Sequence, residues 1–275
     1  QCPGTFRIMD VQTEMEFAVE MTCNGCVDSV KKVLNTDLVD LVSVDLDKQR
    51  VVVKSKLGFQ QVQDMLETTG KRAAFMGHGA SMQRQHLGAA VAEISGRFVK
   101  GVVRLLQLDQ NLCLIEGTVD GLSPGKHGLN IHEFGDLSDG CSSCGEHYNP
   151  YNYKHGGKND AQRHVGDLGN IEARSNGRAT FRFLDDKVKV WEIIGRSMVV
   201  HEGEDDEGKG GRETSKINGA SGPGIACAIV ARSAGLFQNN KQTCACDGVS
   251  VWDERNVPLA GAERMLYIRK DPNSL

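Results

Sequence analysis

The sequence has no run approaching the roughly 20 consecutive apolar residues of a membrane-spanning helix, which excludes a helical membrane protein. It also has no basic tract. With 32 Lys and Arg against 36 Asp and Glu, the formal charge is -4, so neither nucleic acid nor an anionic membrane surface is an expected partner. The opening "QCPGTFRIMD" lacks the basic start and apolar core of a secretory signal, so the expected location is cytoplasmic. A hydrophobic fraction of 39% excludes disorder, and 275 residues are enough for two domains with separate cores.

Cysteine is plentiful. There are nine, and in a chain expected to stay among reduced thiols they point first to metal or redox chemistry. Six fall into close pairs, Cys23 with Cys26, Cys141 with Cys144 and Cys244 with Cys246, while Cys2, Cys113 and Cys227 stand alone.

Three regions follow along the chain. Residues 12–77 read as strand, helix, two strands, helix, strand: "CVDSVKKVLN" places Val27, Val30, Val33 and Leu34 at helical spacing, "VSVDLD" and "RVVVKS" alternate as a hairpin, and Gly70 ends the helix "FQQVQDMLETTG". That order predicts a ferredoxin-like βαββαβ domain, two helices on one face of an antiparallel sheet. Residues 78–87 are glycine-rich and polar, a linker. Residues 88–234 contain short runs ("AAVAEIS", "VKGVVRLLQL", "CLIEGTVDGL", "HGLNIHEFG", "RATFRFL", "SMVVHE") broken by Gly, Pro, Asn and Asp, the pattern of an all-β sandwich or barrel. Residues 235–275 read as a flexible tail, with the strand-like "GVSVWDE" leaving open a last hairpin on the barrel.

Three places carry candidate chemistry. "MTCNGC" puts Cys23 and Cys26 at the turn from the first strand into the first helix, where the positive end of the helix dipole favours thiolates and Gly25 is expected to let the loop bend round an ion. Soft paired thiolates suit Cu(I); a redox pair or half of a zinc site are the alternatives. The loop "EHYNPYNYKHGGKNDAQRHVGDLGN" gathers His147, His155, His164 and Asp167, the donor set of a closed tetrahedral structural zinc site. "TCACDG" sets Cys244 and Cys246 two apart, close enough to grip a soft ion or exchange thiols, though a chance pair is the competing reading. In "HGLNIHEFGD", Asn130 and His132 share one face of a strand, so a poor ligand stands where a good one is expected.

Residues 15–77, with "MTCNGC" in the first loop, resemble a heavy-metal-associated domain whose two cysteines carry Cu(I). Residues 88–234 resemble copper-zinc superoxide dismutase, with "HEFGD", "HGG", "RHVGDLGN", "VVHEG" and "GIACAI" in that family's order. The second resemblance implies an eight-stranded Greek-key barrel and a disulfide between Cys141 and Cys227. It also implies zinc on His147, His155, His164 and Asp167, and a residual copper site on His132, His147 and His201. Asn130 then replaces the fourth copper ligand, and Gly224 replaces the arginine that helps steer an anionic substrate. The implied dimer surface includes Phe134, Gly135, Ile194, Gly195 and Ile229, unless these residues fill the chain's own core.

Taken together, the order of metal domain, barrel and CxC tail resembles the family of copper chaperones for superoxide dismutase. That resemblance implies a metallochaperone and not an enzyme. It would have about two Cu(I) sites, at Cys23 with Cys26 and at Cys244 with Cys246, and one structural Zn(II). It would deliver copper to superoxide dismutase in a heterodimer, with a homodimer as a further assembly, and promote the client's disulfide. Location would be the cytoplasm, extending to the mitochondrial intermembrane space. The rival readings are a superoxide dismutase carrying an appended copper-loading domain, and a zinc-stabilised module that buffers copper without a client.

Overall fold

A computed structural model describes residues 11–79 and 87–233. Cys2, Cys244, Cys246 and the expected tail lie outside these residues.

The N-terminal unit runs β1 (Thr13–Val19), α1 (Asn24–Leu34), β2 (Val39–Asp45), β3 (Arg50–Ser55), α2 (Phe59–Glu67) and β4 (Ala73–Gly79). Its strands form one antiparallel sheet in the order β2-β3-β1-β4. Alternation explains the core: Met15, Phe17 and Val19 of β1 and Val51 and Val53 of β3 meet Val30 and Leu34 of α1 and Val62 and Leu66 of α2. Each such buried aliphatic side chain contributes roughly 1.5–3 kcal/mol, which makes this stripe the main source of the unit's stability. The side chain of Gln61 accepts a hydrogen bond from the Gly58 N–H at the start of α2, and Gly70, at φ +73°, closes the turn after it. β4 continues two residues past the expected start of the linker, because His78 pairs with Met15 and is buried.

The second unit is a barrel of eight antiparallel strands: β5 (Ala89–Gly96), β6 (Lys100–Gln107), β7 (Cys113–Asp120), β8 (Gly125–His132), β9 (Asp167–Ala173), β10 (Ala179–Asp185), β11 (Ser197–His201) and β12 (Gly224–Ile229). The spatial order is β12-β11-β8-β9-β10-β7-β6-β5, closed by pairing of β12 with β5 through Ala226 with Gly96 and Cys227 with Ser95. The skips between β7 and β10 and between β8 and β11 are Greek-key connections. Alternate side chains fill the interior, among them Ile94, Val103, Leu105, Ile115, Leu129, Ile131, Met198 and Val200. With Leu129 and Ile131 pointing inwards, Gly128, Asn130 and His132 of β8 must point outwards. The candidate site therefore lies on the outer wall of the barrel.

Sequence reading missed β9. Its first residues, "DLGN", fall within the histidine-rich loop of the sequence, and the buried Leu168 and Ile171 stand three apart instead of alternating, with Gly169 at φ +77° between them.

Candidate metal centres

In the N-terminal unit, the chain leaves β1 through the buried Met21, and Cys23 stands at the N-cap of α1 in an extended conformation. Cys23 is exposed and Cys26 buried, with their sulfurs 3.6 Å apart, so one ion can bridge them. The Cys26 thiol is lowered to about 6, first by the backbone N–H and hydroxyl of Thr22 and then by hydrogen bonds from Cys23. The expectation about Gly25 is not met. Its φ is not positive, and an added Cβ would make only ordinary contact with Cys23 Sγ at 3.7 Å, so the loop does not depend on glycine there.

On the barrel wall, residues 133–166 fold back over β8. The Tyr148 N–H donates to the Ile131 carbonyl (2.8 Å), and the Ile131 N–H donates to the Gly166 carbonyl (2.9 Å). A Cβ on Gly166 would lie 2.1 Å from the Ile131 carbonyl oxygen, so this close approach of two backbones requires glycine. The result is to stack His147, His155, His164 and Asp167 on the outward face of β8, all buried.

Asp167 organises the set. Its Oδ1 lies 2.8 Å from His147 Nδ1, 3.0 Å from His155 Nδ1 and 3.2 Å from His164 Nδ1. Its Oδ2 accepts hydrogen bonds from the N–H groups of Gly156 (3.1 Å) and His164 (2.9 Å). His155 Nδ1 and His164 Nδ1 are buried without a hydrogen-bond partner despite this proximity. Those separations approach the roughly 3.3 Å edge of a tetrahedron with bonds of about 2.0 Å, and unpaired nitrogens within 4.8 Å of one another and of the carboxylate fit a zinc ion. Burial raises the Asp167 carboxyl, but the three imidazoles gathered round it, His147 first, outweigh that and hold the group well below the usual carboxylate range. Burial likewise lowers His155, yet its contacts with Asp167 and Asp205 outweigh it and bring the imidazole up to about 9.

Next to this set, His132, His147 and His201 bring one nitrogen each within 4.8 Å of one another. His132 Nδ1 donates to the Gly145 carbonyl (2.8 Å) and His201 Nδ1 to the Gly222 carbonyl (2.9 Å), which leaves the two Nε2 atoms as lone-pair donors 3.3 Å apart. Burial, with His147 nearby, pushes His132 down to about 3; burial, partly offset by the Gly222 carbonyl, pushes His201 down to about 4. Neutral imidazoles held by carbonyls on their far nitrogens are arranged as metal ligands are. His147 Nε2, buried and unpartnered, faces this second group while its Nδ1 serves the first, so His147 can bridge them.

Asn130 is fully buried beside His147, its Nδ2 3.4 Å from His147 Nδ1 and its Oδ1 without a partner. An amide is a far weaker donor to copper than imidazole, so this group offers three strong ligands.

Cys141 and Cys227 are joined, with their Cα atoms 5.7 Å apart, which ties the 3₁₀ turn Gly140–Cys144 to β12. At Gly224, any Cβ would lie 2.7 Å from both Cys141 Cβ and Val199 Cγ1, so this backbone has no room for an arginine. Phe134 and Ile229 are exposed, at 54% and 44%, and do not fill the core. Gly135 backs onto the Gly195 carbonyl and approaches Ile229, which makes these residues one surface.

Two supporting residues were missed in the sequence. Asp205 accepts from His155 Nε2 at 2.7 Å and so leaves Nδ1 turned towards Asp167, the nitrogen that could serve a metal. Arg163, wholly buried, donates to the carbonyls of Lys158 (3.0 Å) and His164 (2.9 Å) and pairs with Asp185, bracing the loop that carries His155 and His164. A charge beside a histidine and an acidic stretch, "GEDDEG", look like solvated surface until the fold buries them.

Residues 16–71 match the heavy-metal-associated domain family and residues 99–230 the copper/zinc superoxide dismutase (SODC) family. The copper chaperone for superoxide dismutase of Mus musculus is 55% identical over 252 residues, covering 91% of this chain and 92% of the mouse protein. Its Homo sapiens counterpart is 54% identical over the same shares of both chains. The chain belongs to the family of copper chaperones for superoxide dismutase. Among solved structures, the clock protein EA4 is 36% identical with a TM-score of 0.52, covering 54% of this chaperone and 96% of that protein.

Proposed function

We propose that this chaperone acquires Cu(I) at Cys23 and Cys26, docks on copper-zinc superoxide dismutase through its barrel, and passes the ion to its client through Cys244 and Cys246. The observation that carries this reading is the contrast within the barrel. The four-donor set around Asp167 and the Cys141–Cys227 tie are complete, while Asn130 and Gly224 stand where a copper ligand and a steering arginine would serve catalysis. A barrel kept for its shape explains both halves of that contrast.

In this reading, 12–77 is the metal domain, 78–87 the linker, 88–234 the docking barrel and 235–275 the transfer tail. His147, His155, His164 and Asp167 would hold one Zn(II), which closes the loop over β8 and performs no reaction. Phe134, Gly135, Ile194, Gly195 and Ile229 would form the contact surface, with Phe134 and Ile229 exposed and Ile194 packed in part against the barrel core, a patch suited to a subunit of the same barrel type. The client is therefore held as a heterodimer, and the same surface allows a homodimer. Docking raises the effective concentration of the tail thiols at the client to the order of millimolar, so copper passes by ligand exchange without free release. A tail thiol then forms a mixed disulfide with the client and promotes the client's own bridge. We place this work in the cytosol and, by family resemblance, the mitochondrial intermembrane space. Among the described residues no helix is long and apolar enough to cross a membrane.

A second reading, dismutase activity of the chain itself, is favoured by the convergence of His132, His147 and His201. Replacing Cys244 and Cys246 with serine separates the readings. Chaperoning predicts a protein that still binds Cu(I) at Cys23 and Cys26 but no longer activates added copper-free dismutase. Full client activation by that variant would sink the proposed relay.

A further inference from the structure

Beside the Cys141–Cys227 bridge lies a third sulfur that the copper and zinc sites do not use. Cys141 and Cys144 both belong to the 3₁₀ turn Gly140–Cys144. In such a turn residues i and i+3 eclipse, one turn or about 6 Å apart, a spacing within the roughly 4.4–6.8 Å that disulfides span between Cα atoms. Cys144 is fully buried and shares a small apolar cluster with Cys227 and Val199, against which Cys141 packs. Among the described residues its Sγ makes two long contacts, 3.6 Å to the Asp136 carbonyl and 3.9 Å to the Gly140 carbonyl.

We infer that Cys144 is an internal exchange partner of the barrel disulfide, able to close a Cys141–Cys144 bridge and release Cys227 as a free thiol. As the turn Gly140–Cys144 opens, the Cys144 thiol loses its proton to hydroxide, and its thiolate attacks Cys141 Sγ. The Cys141–Cys144 bond forms as the Cys141–Cys227 bond breaks, and Cys227 leaves as a thiolate that takes up a proton. Both electrons of the broken bond stay within the protein, so the step needs no external oxidant or reductant.

The exchange unfastens the loop from β12 while leaving it closed on itself. Two features of the candidate sites hang on the same turn. The Cys144 carbonyl accepts from the Phe134 N–H (2.9 Å), and the Gly145 carbonyl accepts from His132 Nδ1 (2.8 Å). Gly145 also lies so close under Phe134 that a Cβ there would come within 2.6 Å of its ring. A switch of disulfide partner therefore acts on the exposed apolar surface and on the orientation of His132 together. This inference stands apart from copper delivery, since it concerns only the barrel's own sulfurs.

The test is disulfide mapping of the full-length zinc-loaded protein, held at about pH 8 without reductant in iodoacetamide and digested under non-reducing conditions for mass spectrometry. The inference predicts that Cys227 becomes alkylated as a Cys141–Cys144 peptide accumulates. Because an intramolecular thiol acts at about millimolar effective concentration, Cys144→Ala should slow Cys227 labelling about tenfold or more. A chain with Cys23, Cys26, Cys244 and Cys246 all changed to serine should label Cys227 at the wild-type rate. An unchanged rate in the Cys144→Ala protein overturns the inference, as does a Cys144–Cys227 bridge. Loss of labelling in the fourfold variant would assign the attack to other thiols and overturn it equally.

Discussion

Replacing Asp167 with asparagine keeps the side-chain shape but cannot keep its bonds. Oδ1 faces three histidine Nδ1 atoms at 2.8, 3.0 and 3.2 Å, and Oδ2 accepts from the N–H groups of Gly156 and His164 at 3.1 and 2.9 Å. An amide has one acceptor and one donor group. If its oxygen serves the two N–H groups, its NH₂ points at the metal position; if it turns over, two buried N–H groups lose their acceptor. The second arrangement costs about 1–3 kcal/mol for each orphaned donor, or about 2–6 kcal/mol in all. At about 3 °C per kcal/mol for a domain of this size, the barrel should melt roughly 6–18 °C lower. The first arrangement removes the anionic ligand, so zinc affinity should fall by more than the 10–100-fold typical of groups that merely support ligands. Scanning calorimetry and competition with a chromophoric zinc chelator would read the two effects. A variant with affinity within threefold of the parent and an unchanged melting temperature would refute the assignment of Asp167.

Other outcomes follow from the same geometry. In the metal-free protein, alkylation of Cys26 should rise with pH around a midpoint of about 6, because its thiolate dominates above that value. Cys113, which burial in the barrel pushes well above the ordinary thiol range, should stay unreactive at neutral pH; peptide mapping of the labelled protein reads both. Ile229→Glu should leave the melting temperature within about 1 °C, since the side chain is exposed, yet abolish co-elution with superoxide dismutase on size exclusion. Asn130→His should restore a fourth imidazole and raise copper retention by the barrel; unchanged metal content would mean that Asn130 is not what limits it. Arg163→Met leaves Asp185 buried and unpaired and should cost about 3–5 kcal/mol in denaturant unfolding.

Most of the fold was legible in the residues because its patterns are local. The helices of the first unit show as valines and leucines at a spacing of three and four, and the barrel strands as alternation between turn residues. β9 was not legible, because Asp167 joins the histidine cluster and Leu168 and Ile171 stand three apart, which breaks that alternation. The buried cluster of His147, His155, His164 and Asp167 could be read from four donors among glycines within one loop. Asp205 could not, since its contact with His155 spans 50 residues and exists only once the loop before β12 has folded. The loop does not require glycine at Gly25, whereas Gly166 sits against the Ile131 backbone and Gly224 against the Cys141 and Val199 side chains, close approaches that no sequence pattern reveals.

The central claim is that the barrel serves a client's copper site and not its own. The most direct measurement mixes the Cu(I)-loaded protein with reduced, copper-free, zinc-bound superoxide dismutase under a strong copper chelator, and follows dismutase activity beside the loaded protein alone. Activity that arises only in the mixture is the predicted result. Activity of the same size in the protein alone would contradict it and make the barrel an enzyme despite Asn130 and Gly224.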